Sequence, residues 1–371
     1  MNAGQQGQLN EGATLAGAIP RSSVERPAAP GQVRTWRQSL AEAIRSPEEL
    51  WRVLDLPLEA LPAAQIAAKL FPVVVPRGFA ARMRRGDLQD PLLRQVVPVA
   101  EETEEVDGFG PDPLAEAHCS PAPGLLHKYE GRALLVTTGT CAVHCRYCFR
   151  RHFPYGEVPR AGRWWTPAVE HLRTAPGIEE VLLSGGDPLA LPESVLEQLC
   201  ADLETLPGLR RLRFHTRLPV VLPERIDGDF LALLVRRKVP IVMVIHANHP
   251  QELNVEVAEA CRALRRSGVT LLNQSVLLAG VNDDAAVLAE LSRRLFDIGV
   301  LPYYLHALDR VRGAQHFQVT DLRSAELMRD LAVRLPGYLV PRWVREEAGA
   351  PGKTILPWSS SEAPLTLSKD S

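Results

Sequence analysis

Cys141-Ala142-Val143-His144-Cys145-Arg146-Tyr147-Cys148 places three cysteines at C-x3-C-x2-C spacing within eight residues. A thiolate is a soft ligand, and iron–sulfur clusters are held by thiolates. A [4Fe–4S] cubane normally takes four. This loop offers three, with no fourth cysteine near in sequence. One iron is then left open to bind another molecule. A structural zinc site wants four ligands and closure. His144 could be the fourth, but ligands so crowded make poor zinc-finger spacing. Three cysteines cannot pair among themselves, so a disulfide within the loop fails as well.

The chain around this loop has 371 residues and a formal net charge of −2. That length suggests two or three structural units, or one large barrel with extensions. A charge so near zero implies neither a nucleic-acid nor a membrane partner. There is no apolar run long enough for a transmembrane helix. No basic segment followed by an apolar core marks a signal peptide. Cys200 and Cys261 fall in helical-looking segments and read as buried thiols. Cys119 lies in a Pro-rich connection and has no assigned role. This cysteine usage fits a reducing cytoplasm.

Residues 1–33 are rich in Gly, Gln, Ala and Pro and read as a disordered arm. A helical region over 34–115 follows. Ser46-Pro47-Glu48-Glu49 is a helix start, with Ser as the cap and Pro at the first position. Leu50, Val53 and Leu54 supply its apolar face. A further helical piece covers Phe79 to Arg85, and Arg77, Arg82, Arg84 and Arg85 form either a basic patch or a solvated helix face.

From Arg132 β-rich apolar runs alternate with helical stretches. The runs are Ala133–Thr138, Glu180–Ser184, Arg211–Thr216, Pro240–His246, Thr270–Leu278 and Leu301–Leu308. Between them lie helices such as Asp284 to Phe296, with Leu288, Leu291 and Leu295 at helical spacing. Near-continuous apolar strands of this kind predict a parallel sheet with helices outside. Counting does not separate an open sheet from a barrel. The polar strand ends do bear on it: Ser184 to Asp187, His215 to Arg217, His246 to His249, Asn273 to Ser275 and His306 to Asp309. Chemistry gathered at the C-terminal ends of many strands is what a barrel mouth offers. A helix from Ser324 to Leu335, a strand at Tyr338–Val340 and a Gly-rich loop over 349–354 complete the expected order. Residues 359–371 read as a loose tail.

The cysteine spacing resembles that of the radical SAM enzymes. In that family the open iron chelates S-adenosylmethionine (SAM), whose reduction releases a 5′-deoxyadenosyl radical. The resemblance implies an α/β fold, a partial (β/α)6 TIM-like barrel over 116–323 carrying extensions at both ends. Further motifs narrow the family. Cys141 through Arg151, Ser184-Gly185-Gly186-Asp187-Pro188-Leu189, Pro302-Tyr303-Tyr304 with Asp309, His316-Phe317, and Gly337-Tyr338 with Lys353 together resemble the lysine 2,3-aminomutases. Leu125-Leu126-His127-Lys128-Tyr129, Cys148 through Pro154 and Tyr304 through Asp309 are similar to the branch that makes (R)-β-lysine from L-lysine for β-lysylation of elongation factor P. That branch implies a functional link to the factor and to its ligase.

The resemblance also implies roles. Cys141, Cys145 and Cys148 would hold the cluster. Lys353, in the C-terminal extension over 324–358, matches the lysine that binds pyridoxal phosphate (PLP) covalently. A lysine reacts in that way as the free amine. Lys128, Tyr129 and Arg132 match positions that hold PLP; Lys128 stands where the family commonly has arginine, a point charge in place of a fork. Tyr147, Ser184, Gly185, Gly186, Asp187, His246 and Gln274 match positions at SAM, with Asp187 buttressing the turn. Arg150 matches the arginine that pairs with the substrate carboxylate, and Arg151 reads as structural. Asp309 and Glu346 match the acidic pair that receives the ε-ammonium of lysine. Glu346 stands where enzymes acting on free lysine have Asp. An external electron donor is implied, and zinc is not expected, because the chain lacks the C-terminal cysteines of the clostridial type. The competing readings are a lysine 2,3-aminomutase serving another pathway, and a non-catalytic iron–sulfur redox protein, which would need neither Lys353 nor the acidic pair.

Overall fold

The computed structural model describes residues 35–157 and 162–358. The expected arm and tail lie outside these residues. One nine-stranded sheet runs through the described chain, its strands side by side in chain order. β1 (Leu125–Tyr129) is antiparallel to β2 (Arg132–Thr138). β3 (Glu180–Gly185), β4 (Arg211–Thr216), β5 (Ile241–His246), β6 (Thr270–Val276), β7 (Leu301–His306) and β8 (Arg342–Arg345) add in parallel. β9 (Thr354–Ile355) ends the row antiparallel to β8. The sheet does not close: β1 and β9 are its edges.

All six expected strands are present as β2 to β7. β1, β8 and β9 are additional to them. The strand expected at Tyr338–Val340 is instead a single 3-10 turn, Gly337–Leu339. Prolines flank it at 336 and 341, and Pro341 has no N–H to give a ladder. Pairing therefore starts beyond it, at Arg342. The helical piece expected over Phe79 to Arg85 is a short helix, Arg77–Ala80. Two of its arginines make ties: Arg82 donates to the carbonyls of Val220 and Glu252, at 2.8 Å each, and Arg77 pairs with Glu49, while Arg84 and Arg85 are exposed.

Strand side chains alternate between faces. On one face Leu183, Leu212, Phe214, Met243, Ile245 and Leu271 are buried in a core with the helix residues Leu199, Phe230 and Leu264. Glu193–Leu203, Gly228–Val235 and Val255–Arg266 supply those helices. Ala285–Asp297 and Asp321–Arg334 pack a second core on β7 and β8, through Leu288, Leu327, Leu331, Leu305 and Trp343. The alternate residues of the same strands, such as Leu182, Ser184, Arg213, His215, His246, Gln274 and His306, line a cavity of about 980 Å³ on the other face.

The N-terminal helices brace this cavity. Pro47–Leu54 starts as its sequence requires, the Ser46 hydroxyl accepting from the Glu49 N–H at 3.2 Å. Leu50, Trp51 and Leu54 are buried with Val73, Val75 and Phe79.

Candidate active site

Cys141, Cys145 and Cys148 lie in the loop that leaves β2. The N-terminal region clamps this loop from behind. Arg146 is fully buried and donates to Glu102 through Nε and Nη2, at 2.8 and 2.5 Å, and to the Phe71 carbonyl at 2.7 Å. Arg151 reaches the same carboxylate at 2.7 Å, as its structural reading requires. Removing one member of a buried pair of this kind costs about 3–5 kcal/mol, because a charge is left unmatched. His144 turns away from the cysteines: its Nδ1 sits 2.8 Å from the Pro72 carbonyl and its ring stacks on Phe71. That placement does not suit it as a zinc ligand.

The three thiols line the cavity. Burial and the neighbouring Cys145 push the Cys148 thiol up to about 12, and burial with the adjoining thiol holds Cys141 well above its ordinary value. Crowded thiols release their protons to a group that brings positive charge. Among the described residues no three His, Cys, Asp or Glu side chains converge on a single metal ion. A cubane takes one thiolate per iron and needs no such convergence. Three thiols on one loop fit a cluster that takes one thiolate per iron. Arg217 places Nη1 2.7 Å from the Cys145 sulfur and lies over the Tyr147 ring.

Beside the loop, β3 ends in Ser184-Gly185-Gly186-Asp187. The Gly186 N–H donates to the Thr138 carbonyl at 2.6 Å and the Asp187 N–H to the Thr140 carbonyl at 2.8 Å. Gly185 has φ +129°, where side chains are rarely tolerated, and a Cβ there would lie 2.6 Å from the Thr138 oxygen. A Cβ on Gly186 would lie 2.4 Å from the Thr140 oxygen. These glycines thus pack the strand end against the residues that lead into Cys141. Asp187 is buried. It accepts from the Thr216 hydroxyl and the Arg217 N–H, both at 2.7 Å, and from the Leu189 N–H at 3.0 Å. Burial pushes its carboxyl up to about 6 against those hydrogen bonds. Its oxygens tie the turn after β3 to the end of β4.

His215 on β4, His246 on β5, Gln274 on β6 and His306 on β7 carry the polar lining round the cavity. The Nε2 atoms of all three histidines are buried with no hydrogen-bond partner among the described residues. Burial holds His246 neutral, down to about 3, and keeps His215 and His306 well below their ordinary value, with Lys353 adding to the effect on both. Neutral imidazoles with an open nitrogen suit a polar ligand. Tyr147 is buried beneath them, its hydroxyl 2.7 Å from the Asn248 amide.

Charged groups collect at the far end. Lys128 and Tyr129 stand on β1 and Arg132 opens β2, while Lys353 immediately precedes β9. The two edge strands that the sequence does not foreshadow therefore carry or adjoin the proposed PLP residues. Glu346 pairs with the Lys353 ammonium, accepts from the Tyr129 hydroxyl at 3.0 Å and lies 3.7 Å from Lys128. Arg132 lies over the Tyr129 ring at 4.5 Å. Lys353 has its Nζ 6.0 Å from the Tyr304 ring centre. Burial raises the Glu346 carboxyl, but the Lys353 and Lys128 cations outweigh it and hold the group low. Asp309 goes the other way: burial, then the Glu346 charge, push it up to about 7.

Every candidate residue named from the sequence lines this one cavity. The most consequential residue not foreseen is Glu116. It accepts from Arg150 Nε and Nη2 at 2.7 and 2.8 Å and lies 3.3 Å from the Lys128 ammonium. Arg150 also donates from Nη1 to the Ser184 hydroxyl at 3.1 Å. A buried arginine two residues beyond the cysteines demands a carboxylate, and that demand is the only signal in the sequence; nothing there says which carboxylate answers it.

The model of the Radical SAM superfamily matches residues 135–291, from β2 past the cysteine loop and β6 into Ala285–Asp297. Fold and site together define a radical SAM enzyme, a class that works with a [4Fe–4S] cluster and SAM. The L-lysine 2,3-aminomutase of Escherichia coli (strain K12) is 49% identical over 322 residues, covering 86% of this chain and 94% of that protein. The Haemophilus influenzae protein of the same name is 46% identical, covering 87% and 95%. That of Clostridium subterminale is 34% identical, covering 87% and 78%. The chain belongs to the L-lysine 2,3-aminomutase family of radical SAM isomerases.

Proposed function

We propose that the protein converts L-α-lysine to (R)-β-lysine by 2,3-amino migration, with PLP on Lys353, and that the product serves β-lysylation of elongation factor P. The observation that carries the reading is the convergence of the three cysteines, Lys353, Asp309 and Glu346 on one cavity. An iron–sulfur electron carrier has no use for the last three. Glu346 already receives an alkylammonium, that of Lys353, so its surroundings accept the group that terminates a lysine side chain.

When bound, the cluster with SAM supplies a radical and PLP supplies an electron sink for it. The chain's own residues bind and orient. Lys353 would attach PLP, with Lys128, Tyr129 and Arg132 around it; a hydroxyl and two cations suit a phosphate. Tyr147, Ser184, Gly185, Gly186, His246 and Gln274 would face SAM, and Asp187, its oxygens taken by the turn, would act by holding that turn. Arg150 would take the substrate carboxylate on the guanidinium edge that Glu116 leaves open. Asp309 and Glu346 would take the ε-ammonium, and two carboxylates there repel the side chain of glutamate. Exclusion of water once substrate and cofactors fill the cavity would limit the side reactions of a radical.

The link to elongation factor P rests on the motifs of that branch, and supplying the product to the factor's ligase tests it. The PLP assignment is tested by borohydride reduction of the purified protein and peptide mapping. The pyridoxyl group is expected on Lys353, and the Lys353→Ala variant is expected to keep its iron. A pyridoxyl group on another lysine would overturn the assignment.

A further inference from the structure

Five side chains of alternating charge form a continuous line across the cavity wall. Arg150, Glu116, Lys128, Glu346 and Lys353 succeed one another, each in ion-pair contact with the next. Four of them have a place in the proposed function. Glu116 has none, yet it holds the line together at the Arg150 end. It is buried, and burial would raise its carboxyl, but Arg150 and Lys128 hold it below the ordinary value.

The backbone is arranged to present it. Ala115, just before it, has φ +49°, the left-handed region that a non-glycine residue rarely adopts. Glu116 then opens a single 3-10 turn, Glu116–Cys119, with its N–H on the Asp112 carboxylate at 3.0 Å. From there its carboxylate occupies the Nε–Nη2 edge of Arg150. Ser184 holds Nη1. A guanidinium gripped in this way cannot rotate, and its Nη1–Nη2 edge is the one left for a second carboxylate.

We propose that Glu116 is a positioning residue for substrate recognition: it fixes the Arg150 guanidinium so that its terminal edge receives the α-carboxylate of the amino-acid substrate. This rests on the lysine reading above. Glu116 touches no substrate atom and acts through Arg150.

The test uses full-length enzyme reconstituted with iron, SAM and PLP. It compares KM and kcat for L-lysine with the inhibition constant of cadaverine, which keeps the ammonium but lacks the carboxylate. Glu116→Gln keeps the shape and removes the charge. It is expected to raise KM for lysine at least tenfold, to change kcat by less than about threefold, and to leave cadaverine inhibition unchanged. Glu116→Asp keeps the charge but draws it back by one methylene, and a smaller rise of about threefold is expected; it decides the matter if the Gln variant does not fold. Equal weakening of lysine and cadaverine would overturn the inference, since the effect would not pass through the carboxylate grip. So would a fall in KM, which would make Glu116 a competitor for Arg150, or an unchanged KM in the variant that folds. A wild-type enzyme that does not turn over lysine would refute the functional reading itself, and is thereby distinguished.

Discussion

Asp309→Asn removes one negative charge from the proposed ammonium site and keeps the shape of the side chain. In the structure Asp309 faces the cavity with its carboxyl pushed up to about 7, by burial first and by Glu346 second. No hydrogen bond to its side chain is seen among the described residues, so what it offers an arriving cation is charge. Truncating one partner of a desolvated charged pair costs about 2–5 kcal/mol. Each 1.4 kcal/mol is about tenfold, so kcat/KM for lysine at pH 8 is expected to fall by roughly thirtyfold or more. The raised carboxyl adds a second, sharper expectation. Below pH 7 the group is protonated and must ionise before it can pair, which costs about tenfold in affinity per pH unit. The advantage of wild type over the variant is therefore expected to shrink about tenfold between pH 8 and pH 6. The sign for stability is opposite. A carboxyl raised in the folded state stabilises the empty protein below its unfolded value of 3.8, and that contribution is lost as pH rises through about 7. Steady-state kinetics of both proteins at pH 6, 7 and 8, with iron and PLP content matched, measure this. Full lysine activity in the variant, or a ratio that does not change with pH, would refute the reasoning.

Two further outcomes follow from the loop and the turn. Substituting Cys119, Cys200 and Cys261 together with Ser is expected to preserve iron content and SAM cleavage, since Cys200 and Cys261 are buried in helices away from the loop and Cys119 lies in the turn after Glu116; loss of iron, measured against protein, would mean that the ligand set is wrong. Gly186→Ala is expected to lower bound iron per chain, because its Cβ would sit 2.4 Å from the Thr140 oxygen and force the residues before Cys141 to move; iron content equal to wild type would show that the loop yields without cost.

Much of the fold was legible because its strands obey two simple constraints. Apolar runs such as Ile241 to Ile245 can be buried on both faces only in a sheet covered by helices. Polar residues recurring at every second position, as in Arg211, Arg213 and His215, must share a face. That face became the cavity. The edge strands were less legible. β1 is short and partly polar. β8 is only four residues long, with Trp343 and Val344 buried side by side between Arg342 and Arg345 and no alternation to mark it, and a more β-rich run just before it is disqualified by its flanking prolines. The site was readable where chemistry requires a residue type at fixed spacing, as with the cysteines, or where a motif matches a family, as with Lys353. Glu116 was not readable, because its role comes from a contact with Arg150, 34 residues away, and from a strained Ala115 that no motif marks.

In the proposed function one cavity brings the three-cysteine loop and Lys353 to a single substrate that carries a carboxylate and a distal ammonium. The direct measurement is anaerobic turnover of L-lysine by the enzyme loaded with iron, SAM, PLP and reductant, with products resolved by NMR and L-glutamate offered in parallel. β-Lysine formed from lysine, with no β-glutamate formed from glutamate, is the predicted result. Efficient conversion of glutamate, or SAM cleavage without any change in lysine, would contradict it.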